Sequence, residues 1–163
     1  MLTGCEREAF ALQVMDEVRR WHGVEVRPHA SHEEAGGSDG VEFRLYGRQI
    51  GHLHTNCAVH LSLTKSLKER VIGEQLAEPL DIAPSSGWTM FNPMTKDDAE
   101  RAIWLLRLNY VRLRRQRLSP SAAATNEGLQ KHHQALESVS TTISELLQKT
   151  QARSPRPLPS LES

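Results

Sequence analysis

A histidine-rich stretch near the middle of the chain carries side chains of versatile chemistry, namely His52, His54, Cys57 and His60. Zinc prefers imidazole and thiolate ligands. The H-x-H spacing places His52 and His54 on one face of a strand, and Cys57 or His60 would approach from the next strand. Three such ligands leave one coordination position open for water, which would allow hydrolysis. The sequence therefore contains a candidate zinc site, although it does not identify the cofactor.

A second group of potential ligands, His29, His32, Glu33 and Glu34, lies in the segment HASHEEAGGSDG. This segment is polar and rich in glycine, which is typical of a surface loop rather than of packed structure. We therefore expect these side chains to be solvated and not to form a metal site.

The lengths of two turns decide which face of the sheet the histidines occupy. The segment Val41–Leu63 is predicted to form three short strands joined by tight turns. Opposed residues in an antiparallel pair share a face, so one extra residue in a turn moves one partner's side chains to the other face. If Gly47 and residues 55–57 form odd-length turns, the histidines lie on a polar face opposite the core. That polar face would consist of Glu42, Arg44, Tyr46, His52, His54 and His60.

Two-residue turns, which hairpins favour, lead to a different arrangement. With turns at residues 47–48 and 55–56, His52, His54 and Cys57 lie on the core face and His60 faces outward. Both arrangements bring several potential ligands together. Polar groups on a concave sheet face also form sites for small molecules or peptides. Such a ligand-binding site, beside the SSGW turn, would use Arg44, Tyr46, His52, His54 and His60.

Helix caps and the spacing of apolar residues predict the remaining elements. Thr3 with Glu6, and Thr95 with Asp98, have the spacing of a capping box, and Thr64 is a plausible N-cap. The predicted helices cover about residues 5–22, the segment between Thr64 and Glu78, and residues 95–118, and the predicted strands cover 24–27, 80–83 and 88–91. Together these elements predict an α+β fold over residues 1–118, with two layers in which helices cover an antiparallel sheet.

A narrow apolar stripe near the C-terminus predicts a further helix, amphipathic and coiled-coil-like, within residues 119–151. Its members alternate in spacings of three and four, as in a heptad repeat. Because the rest of this helix is polar, we expect it to self-associate or to bind a partner helix. Residues 152–163 are rich in proline and are predicted to be disordered. The residues predicted to mediate oligomerisation are Leu129, His132, Leu136, Val139, Ile143 and Leu146.

The charge balance predicts no general attraction for nucleic acid or for anionic lipid, since 20 basic residues match 20 acidic ones. Five arginines at the end of the third helix would form a solvated basic face, or alternatively a local nucleic-acid or phosphate site. These arginines are Arg107, Arg112, Arg114, Arg115 and Arg117. No apolar run is long enough to cross a bilayer and the N-terminus resembles no secretory signal, so we expect no membrane association and a cytoplasmic location.

Six short runs carry a resemblance that covers residues 23 to about 113: VEFRL, RQIGHLH, VHLSL, LAEP, SSGW and AIWLLRLNY. In their order and spacing, these runs resemble the luciferase-domain family of small proteins. That family is remotely similar to the YjbR-like, or MmcQ-like, proteins, in which helices cover a curved antiparallel sheet. The resemblance implies the same α+β fold. It implies no activity, although the family's name refers to light emission, and the sequence has no glycine-rich cofactor loop.

These observations favour a non-enzymatic interaction protein that oligomerises or recruits a partner through the C-terminal helix. The heptad pattern is the longest regular signal in the chain and carries this prediction. The alternative is a metal-dependent enzyme, or a small-molecule-binding domain, that uses His52, His54, Cys57 and His60. Whether the protein is an enzyme stays open at this point.

Overall fold

One antiparallel sheet organises residues 1–30 and 36–136, the part of the chain that the computed structural model describes. The strands in this part are β1 (Val24–Ala30), β2 (Ser38–Leu45), β3 (Arg48–Leu53), β4 (Val59–Ser62), β5 (Glu78–Pro79) and β6 (Trp88–Phe91). They lie in the order β1-β2-β3-β4-β6-β5, and each neighbouring pair is antiparallel.

The helices of the same part pack mainly on one face of this sheet. They are α1 (Gly4–Val18), α2 (Lys65–Gly73), α3 (Ala99–Arg117), α4 (Pro120–Thr125) and α5 (Glu127–Leu136). The predicted capping box starts α1, because the Thr3 amide donates to Glu6 Oε2 over 2.9 Å and the Glu6 amide donates to Thr3 Oγ1 over 3.3 Å. Within the described ranges, no helix has the length and apolarity needed to span a bilayer.

The hydrophobic core lies between the sheet and α1 and α3. Phe43 and Leu61 of the sheet and Leu106 of α3 are fully buried there. Gly51 lets the two layers approach closely, since a Cβ atom at this position would lie 2.5 Å from the His60 carbonyl oxygen and 2.9 Å from Leu106 Cδ2. The predicted two-layer α+β fold is therefore confirmed.

The turn between β2 and β3 contains two residues. Leu45 pairs with Arg48, and the residues between them, Tyr46 and Gly47, have φ angles of 53° and 75°. Positive φ at both positions is typical of a type I′ turn, which matches the twist of a hairpin. A two-residue turn was predicted, but one residue further along the chain.

A β-bulge at Ile50 then changes the register of the same hairpin. Arg44 pairs with Gln49, whereas Phe43 pairs with Gly51, so Ile50 is an extra residue on β3. One unpaired residue reverses the face of every side chain that follows it. The bulge therefore places the later side chains of β3 on the same faces that an odd-length turn would have given them.

The β3–β4 hairpin contains the three-residue turn predicted for the first of the two arrangements. The His54 amide donates to the Ala58 carbonyl and the Cys57 amide donates to the His54 carbonyl, each over 2.9 Å. Cys57 has a φ of 74°, the left-handed residue that such turns require. Bulge and turn together place the histidines of β3 and β4 away from the helices. The arrangement with histidines on the polar face is thus correct, and the arrangement with histidines in the core is wrong.

Several predicted boundaries are wrong, among them the end of α1, which lies at Val18 and not near residue 22. Pro28 does not end β1, because it pairs with Val41 in an edge strand where a missing N–H group costs no hydrogen bond. The predicted strand over residues 80–83 is replaced by Glu78–Pro79, which pairs with β6. Helix α2 ends at Gly73, before the predicted stop.

The first half of the predicted heptad stripe packs on its own domain. Leu129 and Leu136 are 0% and 5% exposed, and the His132 ring centroid lies 4.9 Å from that of Tyr110. Asn126 separates α4 from α5, so residues 119–136 do not form one continuous helix. The other predicted oligomerisation residues, Val139, Ile143 and Leu146, and the predicted tail lie outside the described residues.

The arginines of α3 do not form the predicted solvated face. Arg112, Arg114 and Arg115 are 4%, 6% and 7% exposed, and Arg107 forms an ion pair with α1 over 2.9 Å. Among the five, Arg117 is exposed. Three of the five arginines are therefore buried rather than solvated, and the alternative of a nucleic-acid or phosphate site stays a prediction.

Candidate metal centre

Three strands bring four histidines to the sheet face opposite the helices, which we call the histidine face. His52 of β3 pairs directly with His60 of β4, so their side chains leave the sheet side by side. His54 follows two residues after His52 and points the same way. His29 lies at the bulge of β1, and its ring stacks on that of His52 with centroids 3.8 Å apart.

Nitrogen atoms of three of these rings converge on one point. His52 Nε2 lies 3.0 Å from His54 Nε2 and 3.1 Å from His60 Nδ1, and the last two atoms are 3.2 Å apart. Ligand nitrogens bound tetrahedrally to zinc at about 2.0–2.1 Å lie roughly 3.3 Å from each other. The triangle therefore has nearly the size that a zinc ion requires.

Hydrogen bonding alone cannot satisfy this triangle. Each nitrogen of a neutral imidazole carries either a proton or a lone pair. Three nitrogens of two kinds must include at least one like pair, so at least one contact joins two protons or two lone pairs. A cation at the centre would instead bind a lone pair from each of His52, His54 and His60 at the same time.

Asp39 fixes the proton of His54 on the outer side of its ring. Its Oδ2 accepts from His54 Nδ1 over 2.6 Å, and its Oδ1 accepts from Thr55 Oγ1 over 2.8 Å. Hydrogen bonds from Thr55 and His54 lower the pKa of Asp39 to about 2, so the carboxylate is charged. In a neutral His54 the Nε2 atom then holds the lone pair that faces the triangle.

Gln49 makes the corresponding contact with His52. Its side-chain amide lies 2.9 Å from His52 Nδ1 and 3.4 Å from Glu42 Oε2. With the amide nitrogen donating, the proton of neutral His52 lies on Nε2. Metal binding through Nε2 requires the amide of Gln49 to rotate, so that its oxygen accepts from Nδ1.

Burial keeps the rings of His52 and His60 neutral at physiological pH. It lowers the pKa of His52 to about 3, with a further contribution from the charge of His29. It also lowers the pKa of His60 to about 4, together with the charge of His54. A neutral ring binds a metal ion without a net loss of protons, although the proton of His52 has to move from Nε2 to Nδ1.

Two further side chains border the triangle. A ligand atom of His29 lies within 4.8 Å of those of His52 and His54. His29 Nδ1 is 3.6 Å from Glu42 Oε2. On the other side, the half-buried Trp88 ring lies 5.4 Å from the His52 ring. The prediction that His29 is solvated in a loop is wrong, because β1 continues past Pro28 and buries this side chain. The other members of that predicted loop, His32, Glu33 and Glu34, lie outside the described residues.

Cys57, the fourth candidate ligand in the sequence, lies apart from the histidines. Its side chain is 2% exposed and belongs to the core beneath α1. Its thiol contacts the Arg7 carbonyl oxygen of α1 over 3.5 Å, and burial raises its pKa. The left-handed backbone at Cys57 turns this side chain toward the helix layer, so it cannot join the three rings.

The remaining predicted ligand-binding residues are divided between two places. Arg44 lies on the histidine face, where its guanidinium donates to Glu42 Oε1 over 2.7 Å. Tyr46 stands in the turn instead, with the Arg117 guanidinium 5.2 Å from its ring centroid. The structure therefore unites His52, His54 and His60, places Arg44 beside them and separates Tyr46.

Asp39, Gln49 and His29 belong to the site but were not predicted. Asp39 reaches His54 because β2 and β3 pair with Val41 opposite Leu53. Extending that register by two residues brings residue 39 opposite the end of β3. A correct prediction of the strand register would therefore have placed Asp39 beside His54. The bulge cannot be read from the sequence, so the sequence did not show that Gln49 and His52 lie on the same face.

The fold and the site define a two-layer α+β protein with a histidine cluster on the sheet face opposite the described helices. A model of the family described as Luciferase domain matches residues 47–109, which include β3, β4, α2 and β6. This confirms the predicted resemblance over that segment. The three converging histidines lie inside the matched segment, and Asp39 and His29 precede it.

Two wider comparisons found no relatives. No curated protein and no solved structure matches the chain. The remote similarity to YjbR-like proteins therefore stays a prediction.

Proposed function

We propose that the protein binds a zinc-class metal ion through His52 Nε2, His54 Nε2 and His60 Nδ1. The observation that carries this proposal is the triangle of nitrogens with sides of 3.0, 3.1 and 3.2 Å, which hydrogen bonds cannot fully satisfy. Three imidazole ligands suit zinc and its neighbours in the first transition row. The carboxylate of Asp39 supports the site as the outer partner of a metal-binding histidine.

A site with three protein ligands has an open position, which is typical of catalytic rather than structural zinc. A zinc ion held by His52, His54 and His60 would supply an acidified water for hydrolysis near neutral pH. His29, whose ring stacks on that of His52, would accept the proton of this water. We therefore infer a metal-dependent hydrolytic site and place the non-enzymatic alternative second.

Metal content of the purified protein tests the proposal. The wild-type chain, produced with added zinc, is expected to contain one ion per chain by elemental analysis. The double substitution His52→Ala and His54→Ala should remove the ion without changing the circular dichroism spectrum. His22→Ala removes an exposed histidine of the same chain and is the matched control. A metal-free wild type, or equal zinc in the double variant, would contradict the proposal.

Self-association, or recruitment of a partner helix, through the C-terminal segment stays a separate proposal. Leu129 and Leu136 are already buried within the domain, so an oligomer would have to rely on Val139, Ile143 and Leu146. The cytoplasmic location likewise stays a prediction.

A further inference from the structure

Two apolar side chains of β6, Trp88 and Met90, lie on the histidine face, and we call them the tryptophan platform. Met90 pairs with His60 and Trp88 precedes it by two residues, so both side chains leave the sheet on the same face as His60. The Trp88 ring centroid lies 5.4 Å from that of His52, with the ring planes at 49°. Both residues of the platform are half-buried. The platform therefore borders the histidine triangle and keeps part of its apolar surface accessible.

The SSGW turn is held by contacts that fix the position of Trp88. The Leu63 amide donates to the Gly87 carbonyl oxygen over 3.0 Å. A Cβ atom at Gly87 would lie 1.8 Å from the Leu63 carbonyl oxygen, so this close approach requires glycine. The Trp88 amide donates to Ser86 Oγ over 3.2 Å. The backbone at the start of β6 is thus tied to the segment that follows β4.

Lys68 of α2 holds the same turn from inside the domain. Its side chain is 8% exposed, and its Nζ donates to the carbonyl oxygens of Pro84 and Ser86 over 3.0 and 2.9 Å. Within residues 1–30 and 36–136, no ion pair joins Lys68 to a carboxylate. Lysine is rarely buried, because removing an ammonium group from water is costly. A buried cation therefore fixes the turn before Trp88, and such preorganisation lowers the cost of binding a ligand.

The charged side chains of β1 and β2 on the histidine face already pair with each other. Arg27 donates to Glu25 Oε2 over 2.5 Å, and Arg44 donates to Glu42 Oε1 over 2.7 Å. Register places both arginines on this face, because Arg27 pairs with Glu42 and Glu25 pairs with Arg44. Asp39 adds a further negative charge at the edge of the triangle. Neither arginine is left to bind an anionic group, and the carboxylates repel one.

We propose that the tryptophan platform binds an aromatic or similarly flat apolar group of a ligand that carries no negative charge. Aromatic rings pack on one another with centroids about 4.5–7 Å apart, so a ring seated on Trp88 lies next to the triangle. Resting on the hydrolytic function proposed above, the substrate class is a carboxylic ester or amide with an aromatic group close to the bond that is cleaved. Hydrolysis of such an ester joins the water oxygen to the carbonyl carbon, breaks the bond from that carbon to the alcohol oxygen and returns a proton to the alcohol.

Calorimetric titration with N-benzylacetamide tests the platform without catalysis. The protein is used metal-free, after treatment with a chelator, and saturable binding is expected. N-methylacetamide lacks only the phenyl ring and should bind roughly tenfold more weakly or worse, because the ring supplies the apolar contact with Trp88. Benzoate should bind more weakly than benzamide, because the two differ in negative charge. The proposal is overturned if N-benzylacetamide does not bind, or if N-methylacetamide binds as tightly.

Substitutions on the platform locate the binding. Trp88→Ala should weaken the binding of N-benzylacetamide by roughly tenfold, and Trp88→Phe should weaken it less because a ring remains. Met90→Ala should cost roughly threefold and keeps the test valid even if Trp88→Ala does not fold. Met94→Ala removes a methionine of the loop after β6 that is 68% exposed, and should leave the affinity unchanged. Wild-type affinity in both Trp88→Ala and Met90→Ala would overturn the proposal.

The zinc-loaded protein separates this proposal from the hydrolytic function on which it rests. Benzyl acetate and methyl acetate differ by the same phenyl ring and release alcohols of similar acidity. Benzyl acetate should have the higher kcat/KM, by roughly tenfold, and Trp88→Ala should remove this preference mainly through KM. Equal kcat/KM for the two esters overturns the platform but supports the hydrolytic site. Binding of N-benzylacetamide without hydrolysis of either ester supports the platform and contradicts the hydrolytic function.

Discussion

Replacement of Asp39 by asparagine should weaken metal binding at the histidine triangle while leaving all three ligands in place. Asp39 Oδ2 lies 2.6 Å from His54 Nδ1 and is the group that directs the lone pair of His54 Nε2 inward. Asparagine has nearly the same shape but no charge. The substitution therefore isolates the electrostatic part of this contact.

The pKa and the exposure of Asp39 together indicate how much metal affinity the substitution should cost. The pKa of Asp39 falls from 3.8 to about 2, mainly through Thr55 and then through His54. That difference corresponds to about 2 kcal/mol. The side chain of Asp39 is 39% exposed, so solvent screening reduces this figure by about half. Thr55 is the largest cause of this shift, so only part of the figure concerns the contact with His54. We therefore expect a loss of about 1 kcal/mol or less in metal binding, about a fivefold weaker affinity, which is below the usual range for such outer partners.

Competition with a chromophoric zinc chelator measures this difference directly. Asp81→Asn changes an exposed aspartate elsewhere and should bind zinc like the wild type. Thr55→Val should produce a smaller loss than Asp39→Asn, because it removes a partner of the carboxylate and not the carboxylate itself. If Asp39→Asn and Asp81→Asn bind zinc equally well, the proposed role of Asp39 is refuted.

Three further predictions concern the stability of the domain. Asn109→Leu should lower the free energy of unfolding by about 3 kcal/mol in urea titration, because the Ile50 carbonyl loses its donor, the Ser62 carbonyl keeps only Arg112, and Arg112 Nε loses its acceptor; a loss below about 1 kcal/mol would contradict this. Burial lowers the pKa of His132 to about 4. Between pH 6.5 and pH 4 the unfolded chain therefore binds a proton that the folded chain does not, and wild-type stability should fall by about 1–2 kcal/mol more than that of His132→Phe; parallel curves would rule this out. Removal of residues 137–163 should leave a folded domain by circular dichroism, whereas removal of residues 119–163 should destabilise it because Leu129 is 0% exposed. Equal stability of the two truncated proteins would show that α5 does not support the core. Light scattering on the full chain and on the protein without residues 137–163 tests self-association.

Much of the fold was predictable because caps and apolar spacing act locally. The capping box at Thr3 and the N-cap at Thr64 both make the predicted hydrogen bonds. The errors occur where contacts between residues far apart in the sequence decide where an element ends or what it packs against. Pro28 ends a strand in most settings, but here an edge position removes its cost. The apolar stripe of α5 matches a heptad, and nothing local shows that it packs on the Tyr110 side of the domain.

The sequence predicted that histidines form the candidate site, but it did not predict the full set of residues around them. H-x-H correctly indicated that His52 and His54 share a face, because that follows from the two-residue repeat of a strand. The exclusion of Cys57 depends on a left-handed backbone angle at a position where glycine is more usual. The burial of Arg112 and Arg115 was equally hidden, since arginine at the end of a helix is normally exposed.

The bulge at Ile50 makes the histidine site depend on how β3 pairs with β2 as well as on the identity of its residues. The Ile50 carbonyl oxygen accepts from Asn109 Nδ2 over 2.6 Å, so a helix on the opposite side of the sheet holds the bulge in place. If Ile50 paired with Phe43 instead of bulging out, His52 would lie opposite Val41 and turn toward the helices, and Leu53 would turn toward water. Another sequence that carries the same H-x-H motif in a hairpin of this length without the bulge would therefore bury its histidines. Shared histidines are evidence for a shared site only when the strands also pair in the same register.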